Sequence, residues 1–177
     1  MSRGDRLDEA VIKLSDGDLE NALIQISTCL DATAKIKYPE CGVGQRIRRY
    51  VEENIRFIFH VMTAGTVVFQ ANVTFGSFGN LPNVVYKTIR CGLLHDADLS
   101  ETVSYKTGLY VGMDDGRFIV TDSMLWGLVL LLIGDEANAG ERLKSPKMFR
   151  AFGTDIALDS MWGRIEDIEH IVGFPLP

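Results

Sequence analysis

Two side chains in one short segment, Arg90 and His95, have types and a spacing that could do chemistry on a phosphodiester. They lie in Tyr86-Lys87-Thr88-Ile89-Arg90-Cys91-Gly92-Leu93-Leu94-His95-Asp96. A guanidinium holds a phosphate bidentately and stabilises charge that develops on it. An imidazole titrates near neutrality and can move the proton of a ribose 2′-hydroxyl or of a leaving oxygen. Together they suffice for cleavage of RNA without a metal. Five residues apart on an ideal helix, they stand about 140° apart around the axis and about 7.5 Å along it. They converge on one cleft only if the helix ends at His95 and Arg90 reaches with its long stem. The spacing alone is a weak signal. Arg164 and His170 fit a loosened version of it among Glu166, Asp167 and Glu169, where phosphate is repelled. The bland reading is an arginine paired with Asp31 or Asp96 and a histidine favoured by a helix C-terminus.

The elements that must position these residues read as mainly helical. Leu19, Ala22, Leu23, Ile26, Leu30 and Ala34 form one apolar stripe, so a helix is expected from about Asp18 to Lys37. Tyr38-Pro39 stops it. A second helix is expected from about Val43 to Val61, with Val43, Ile47, Tyr50, Val51, Asn54 and Ile58 inward. Thr66 to Phe75 is β-branched and aromatic and suits a strand or an ordered loop. The motif helix spans about Pro82 to Ala97, Pro82 suiting its first turn. Thr107–Val111 and Arg117–Thr121 read as strands around Met113-Asp114-Asp115-Gly116, whose Asp-Gly is a hairpin turn signal. Asp122 or Ser123 then caps a helix from about Met124 to Ala137. That helix is apolar all round, hence buried or part of a dimer seam. The tail suggests one or two shorter helices, the last over about Ile156 to Ile171. The whole reads as one domain over 1–177: a frayed N-terminus at 1–16, a hairpin at 105–121 and C-terminal helices at 122–177.

Composition bounds the function. The 177 residues include 18 basic and 24 acidic ones, a net charge of −6. A globally basic nucleic-acid binder is excluded, but a local basic face is not. Lys35 to Arg56 holds six bases against three acids. Lys35, Lys37, Arg46, Arg48 and Arg49 could therefore track an RNA backbone, although a solvated helix face is the commoner use of such charges. Phe75, Phe78 and Tyr86 could stack on bases, but such aromatics are usually core. Asp31 and Asp96 are accessory candidates, Asp31 as a residue that orients Arg90 or His95. His60 reads as a satisfied, partly buried histidine, and Cys91 as buried and inert. Gly42-Val43-Gly44 is too short to cradle a phosphate and lacks the following Lys-Ser/Thr. No stretch approaches the roughly 20 apolar residues of a spanning helix. The mixed charges of the first 14 residues do not make a secretory signal. Three cysteines without a C-x-x-C pair point to a reducing cytoplasm rather than a disulfide framework. Three scattered histidines give no zinc spacing. No metal, cofactor or membrane is expected.

The segment Ile89 to Asp96 resembles the Arg-x4-6-His helix of the HEPN superfamily. Leu30-Asp31-Ala32, then Tyr38-Pro39, then Gly42-Val43-Gly44-x-Arg46 at the start of the second helix, resemble one bacterial branch of it. The resemblance covers residues 19 to 97. It implies a helical bundle, often dimeric, whose two motif helices meet across a symmetry axis. Many members are metal-independent endoribonucleases of toxin, restriction or antiphage systems. It implies Arg90 as the phosphate-binding residue and His95 as the acid/base, with a 2′,3′-cyclic phosphate as product. An antitoxin or another defence-system protein would be the partner. Cys91 stands where members place Asn, Asp or His, and a thiol cannot orient the site in the same way. The alternatives are a non-catalytic helical module that dimerises or binds another protein, and a helical bundle that binds a small molecule.

Overall fold

The computed structural model describes residues 1–70, 72–94 and 103–175, with only the backbone at 90–94. Among the described residues are six α-helices and two small sheets. The protein is mainly α-helical, as the apolar periodicities predict.

The N-terminus is not frayed. Helix α1 spans Arg3–Ser15 and is closed by a reciprocal cap. Ser2 Oγ accepts from the Asp5 amide at 3.0 Å, and the Ser2 amide donates to Asp5 Oδ2 at 2.9 Å. Leu7, Ala10, Val11 and Leu14 recur at three and four residues and are buried, with α1 packed on α2. The mixed charges between them are the solvent face of an amphipathic helix. Gly4 lets the first turn reach the chain near Arg142. A Cβ there would come within 2.2 Å of the Arg142 carbonyl oxygen.

Helix α2 spans Leu19–Lys37 and its N-cap Asp18 accepts from the Asn21 amide. Helix α3 spans Val43–Met62. Ile47, Tyr50, Val51 and Ile58 are buried as the stripe predicts, whereas Val43 is exposed at the first turn. The described residues of 66–75 form no strand. They run irregularly to an isolated bridge between Thr74 and Asn80 around a short 3-10 turn at Gly76–Phe78. Helix α4, the motif helix, spans Leu81–Leu94 and packs on α2 and α3. Asn80 Oδ1 caps it by accepting from the Asn83 amide.

The Asp-Gly turn is where the sequence puts it. Asp115 and Gly116 have φ of 48° and 74°, the backbone of a two-residue hairpin turn. It joins β2 (Met113–Asp114) to β3 (Arg117–Thr121). The expected first strand at Thr107–Val111 is absent. Instead β1 (Val103–Lys106) pairs in parallel with β3, so the sheet order is β1-β3-β2. Helix α5 (Asp122–Gly134) follows β3 directly. Its cap is Thr121, whose Oγ1 accepts from the Met124 amide at 3.2 Å, not Asp122 or Ser123. Leu125, Leu128, Val129, Leu130, Leu132 and Ile133 are fully buried. This helix is the centre of the core and touches α1, α2 and α3. Burying each such side chain contributes about 1.5–3 kcal/mol before chain entropy is counted.

The tail is not all helical. Strands β4 (Met148–Ala151) and β5 (Thr154–Ala157) form an antiparallel hairpin. Phe152 and Gly153 turn it with φ of 56° and 73°. Inward Phe149 faces Ile156, and outward Arg150 pairs with Asp155 at 2.8 Å. This two-residue alternation takes the place of the helix expected from Ile156, and helix α6 is only Ile165–Ile171. No helix among the described residues is long and apolar enough to cross a membrane.

Candidate functional site

Arg90 lies within α4, one turn beyond Tyr86. Its side chain, His95 and Asp96 lie outside the described residues, as does the side chain of Cys91. The residues expected around them are placed as follows. Asp31 is committed to Arg46, whose Nε and Nη2 donate to its two carboxylate oxygens at 2.8 and 2.9 Å. This bidentate pair ties α2 to α3. Arg49 Nε donates to Glu53 Oε1 at 2.9 Å, and its guanidinium stacks 4.4 Å over Tyr38. Lys37 Nζ donates to Asp135 Oδ2 at 3.0 Å. Arg48 lies 4.6 Å over the Tyr86 ring. Lys35 is exposed and forms no ion pair among the described residues. Thus three of the five candidate backbone-tracking bases are held in ion pairs within the fold. Phe75 and Tyr86 are buried, and Phe75 meets Phe118 edge-on at 5.7 Å.

Lys37 reaches from the surface into a polar network that is otherwise buried. Asp135 is nearly inaccessible and accepts from three donors. These are the Tyr50 hydroxyl at 2.8 Å, Lys37 Nζ and the Ala137 amide at 2.9 Å. Burial, reinforced by the neighbouring Asp135 carboxylate, raises the Tyr50 phenol well above its ordinary value. Burial and a hydrogen bond to Glu53 likewise raise Tyr38. Burial pushes the Glu53 carboxyl up, but hydrogen bonds from Tyr38 and Arg49 outweigh it and hold the group below its usual range. Asn138 Nδ2 donates to the Leu132 carbonyl and to Thr33 Oγ1, which finishes the C-terminal end of α5. The hydrogen bonds of Tyr50, Lys37 and Asn138 fasten α2, α3 and α5 together. Burial lifts the Cys29 thiol to about 12, which makes it inert at neutral pH.

The opening that does face solvent is apolar, and no sequence motif marks it. It lies between the end of α3, residues 63–70 and 73–75, and residues 109–111. The reversal that forms its wall is a Schellman-type end to α3. The Gly65 amide donates to the His60 carbonyl at 2.8 Å and the Ala64 amide to the Val61 carbonyl at 3.1 Å. Ala64 and Gly65 take φ of 48° and 69° and send the chain back across Phe59. The resulting cleft holds about 430 Å³. Phe59, Phe69, Phe75, Val73, Leu81 and Val111 line it, and none of its lining residues carries a charge. Phe59 and Phe69 meet edge-on at 5.3 Å. Of its polar members, Thr63 and Thr66 spend their hydroxyl protons on the Phe59 and Thr63 carbonyls, while Gln70 and Tyr110 also line it. The rim stays open to water, with Val68 83% and Leu109 60% exposed. Apolar surface concentrated around a concave site marks a binding site more often than a bare surface.

Among the described residues, no group of three or more His, Cys, Asp or Glu is arranged to hold a metal ion. His60 is also committed. Its Nε2 lies 2.9 Å from the Val172 carbonyl oxygen, and its ring stacks on Phe152. Fold and site together define a mainly α-helical protein with small sheets and an uncharged apolar cleft. The chain belongs to the Rv1289 family, whose family model matches residues 2–175. No curated protein and no solved structure matches it.

Proposed function

We propose that this protein is a binding module whose apolar cleft takes a small apolar molecule. The observation that carries this reading is the uncharged cleft of about 430 Å³ with its exposed valine and leucine rim. Its volume falls in the range of small-molecule sites. The basic residues that a nucleic-acid reading needs support it less well, because Lys37, Arg46 and Arg49 are already engaged by Asp135, Asp31 and Glu53. The test is titration with N-phenyl-1-naphthylamine, a neutral fluorophore that brightens in apolar surroundings. The wild type should bind it saturably. Val73→Arg, a partly exposed change that puts a charge into the cleft, should weaken binding by roughly tenfold or more. Equal binding by the two proteins would reject the reading.

A second reading is an HEPN-like, metal-independent endoribonuclease of a defence or toxin system, acting as a cytoplasmic homodimer. It is supported by the packing of α4 on α2 and α3, and by Arg48 lying over Tyr86 one turn before Arg90. Arg90 would bind the scissile phosphate while His95 shuttles the proton of the attacking 2′-hydroxyl. Cleavage of RNA in EDTA that His95→Ala abolishes would establish it. No cleavage of any RNA by the wild type would remove it.

A further inference from the structure

The apolar cleft has a neighbour that supplies what it lacks. A second hollow of about 280 Å³ shares four wall residues with it, Phe59, Val67, Val68 and Phe69. The two openings therefore adjoin along one apolar edge. The second hollow carries charge-capable groups, Arg56 and His60. His60 is held by Val172 and Phe152. Arg56 is not held. It is exposed and forms no ion pair among the described residues, unlike Arg46 and Arg49 earlier on the same helix. Arg56 and Phe59 are three residues apart on α3, so they share a face about 4.5 Å apart along the axis. One molecule can thus reach both an uncharged apolar cleft and a guanidinium that has no ion-pair partner among the described residues.

We infer that the ligand is an anionic amphiphile, with an alkyl or ring body in the cleft and a carboxylate-type head on Arg56. This rests on the small-molecule reading above and names its ligand class. The chemistry is complementary at both ends. An apolar body gains from leaving water, and a guanidinium matches a carboxylate bidentately. A neutral apolar ligand would use the cleft alone, and a small anion the guanidinium alone.

Displacement of N-phenyl-1-naphthylamine by decanoate and by decanol separates these cases. Arg56→Gln keeps a polar, exposed side chain and lies outside the cleft, so fluorophore binding should be unchanged. Decanoate should displace the fluorophore about three- to fivefold less effectively from Arg56→Gln than from wild type, the effect of one solvent-accessible ion pair. Decanol should displace it equally from both. Raising the salt concentration should weaken decanoate and not decanol in the wild type. Equal effects of Arg56→Gln on decanoate and decanol, or none on either, would overturn the inference while leaving the cleft a binding site. Failure of the fluorophore to bind the wild type would overturn the small-molecule reading and this inference with it.

Discussion

Removing the Tyr50 hydroxyl should change sign in its effect once Asp135 is gone. Tyr50 is fully buried and donates to Asp135 Oδ2 at 2.8 Å. Asp135 also accepts from Lys37 at 3.0 Å and from the Ala137 amide at 2.9 Å. Tyr50→Phe deletes one hydrogen bond to a charged group, a cost of about 1.5–3 kcal/mol. Asp135→Ala removes the acceptor of all three donors, and because Lys37 is solvent-exposed the main cost, about 1–3 kcal/mol, is that of the buried donors left behind. Among them is the Tyr50 hydroxyl, an unsatisfied donor orphaned in the core. Adding Tyr50→Phe to Asp135→Ala removes the orphan. The second change should therefore be neutral or stabilising, and the double variant no less stable than Asp135→Ala alone. Urea unfolding gives the three free energies. Trp126 and Trp162 report by fluorescence, and far-ultraviolet circular dichroism checks that one transition is followed. If Tyr50→Phe destabilised the Asp135→Ala protein as much as the wild type, the network would not be the acceptor-centred cluster described.

Alkali should loosen the same region. The folded-state pKa values of Tyr38 and Tyr50 are raised above the ordinary 10.0. Their stabilising effect is therefore full below about pH 10 and lost as pH rises through the raised values. The melting temperature should fall above that pH, and Tyr50→Phe should flatten the fall. Gly4→Ala should destabilise the protein by about 1–3 kcal/mol in urea unfolding, because its methyl group meets backbone rather than a movable side chain. A Gly4→Ala protein as stable as the wild type would mean that α1 does not dock as closely as described.

How much of this can be read from the chain differs by element. Helices α2, α3 and α5 are legible because their apolar residues keep helical spacing or fill every position. Helix α1 has the same spacing at Leu7, Ala10, Val11 and Leu14, but the acidic and basic residues interleaved with them make the segment look like a solvated tail. The β4–β5 hairpin escapes a sequence reading because its turn is Phe152-Gly153, in which a bulky residue takes the left-handed region that small polar residues usually occupy. Parallel pairing of β1 with β3 joins segments that no local pattern links. The candidate basic residues stand out by charge density, which cannot distinguish an arginine free for a ligand from one bound to Asp31 or Glu53. The cleft leaves no sequence signal. Phe59, Phe69, Leu81 and Val111 come from four separate stretches, which the reversal at Ala64-Gly65 and the packing of α4 on α3 help to bring together.

The most direct test of the binding reading locates the ligand. Protein labelled at Val and Leu methyl groups is titrated with N-phenyl-1-naphthylamine and followed by two-dimensional carbon–proton spectra. Shifts should concentrate at Val67, Val68, Val73, Leu81, Leu109 and Val111, which line the cleft. They should be absent at Val51, Leu128 and Val129, which are sealed in the core. Shifts scattered over the surface, or none at the cleft methyls at saturating fluorophore, would contradict the account.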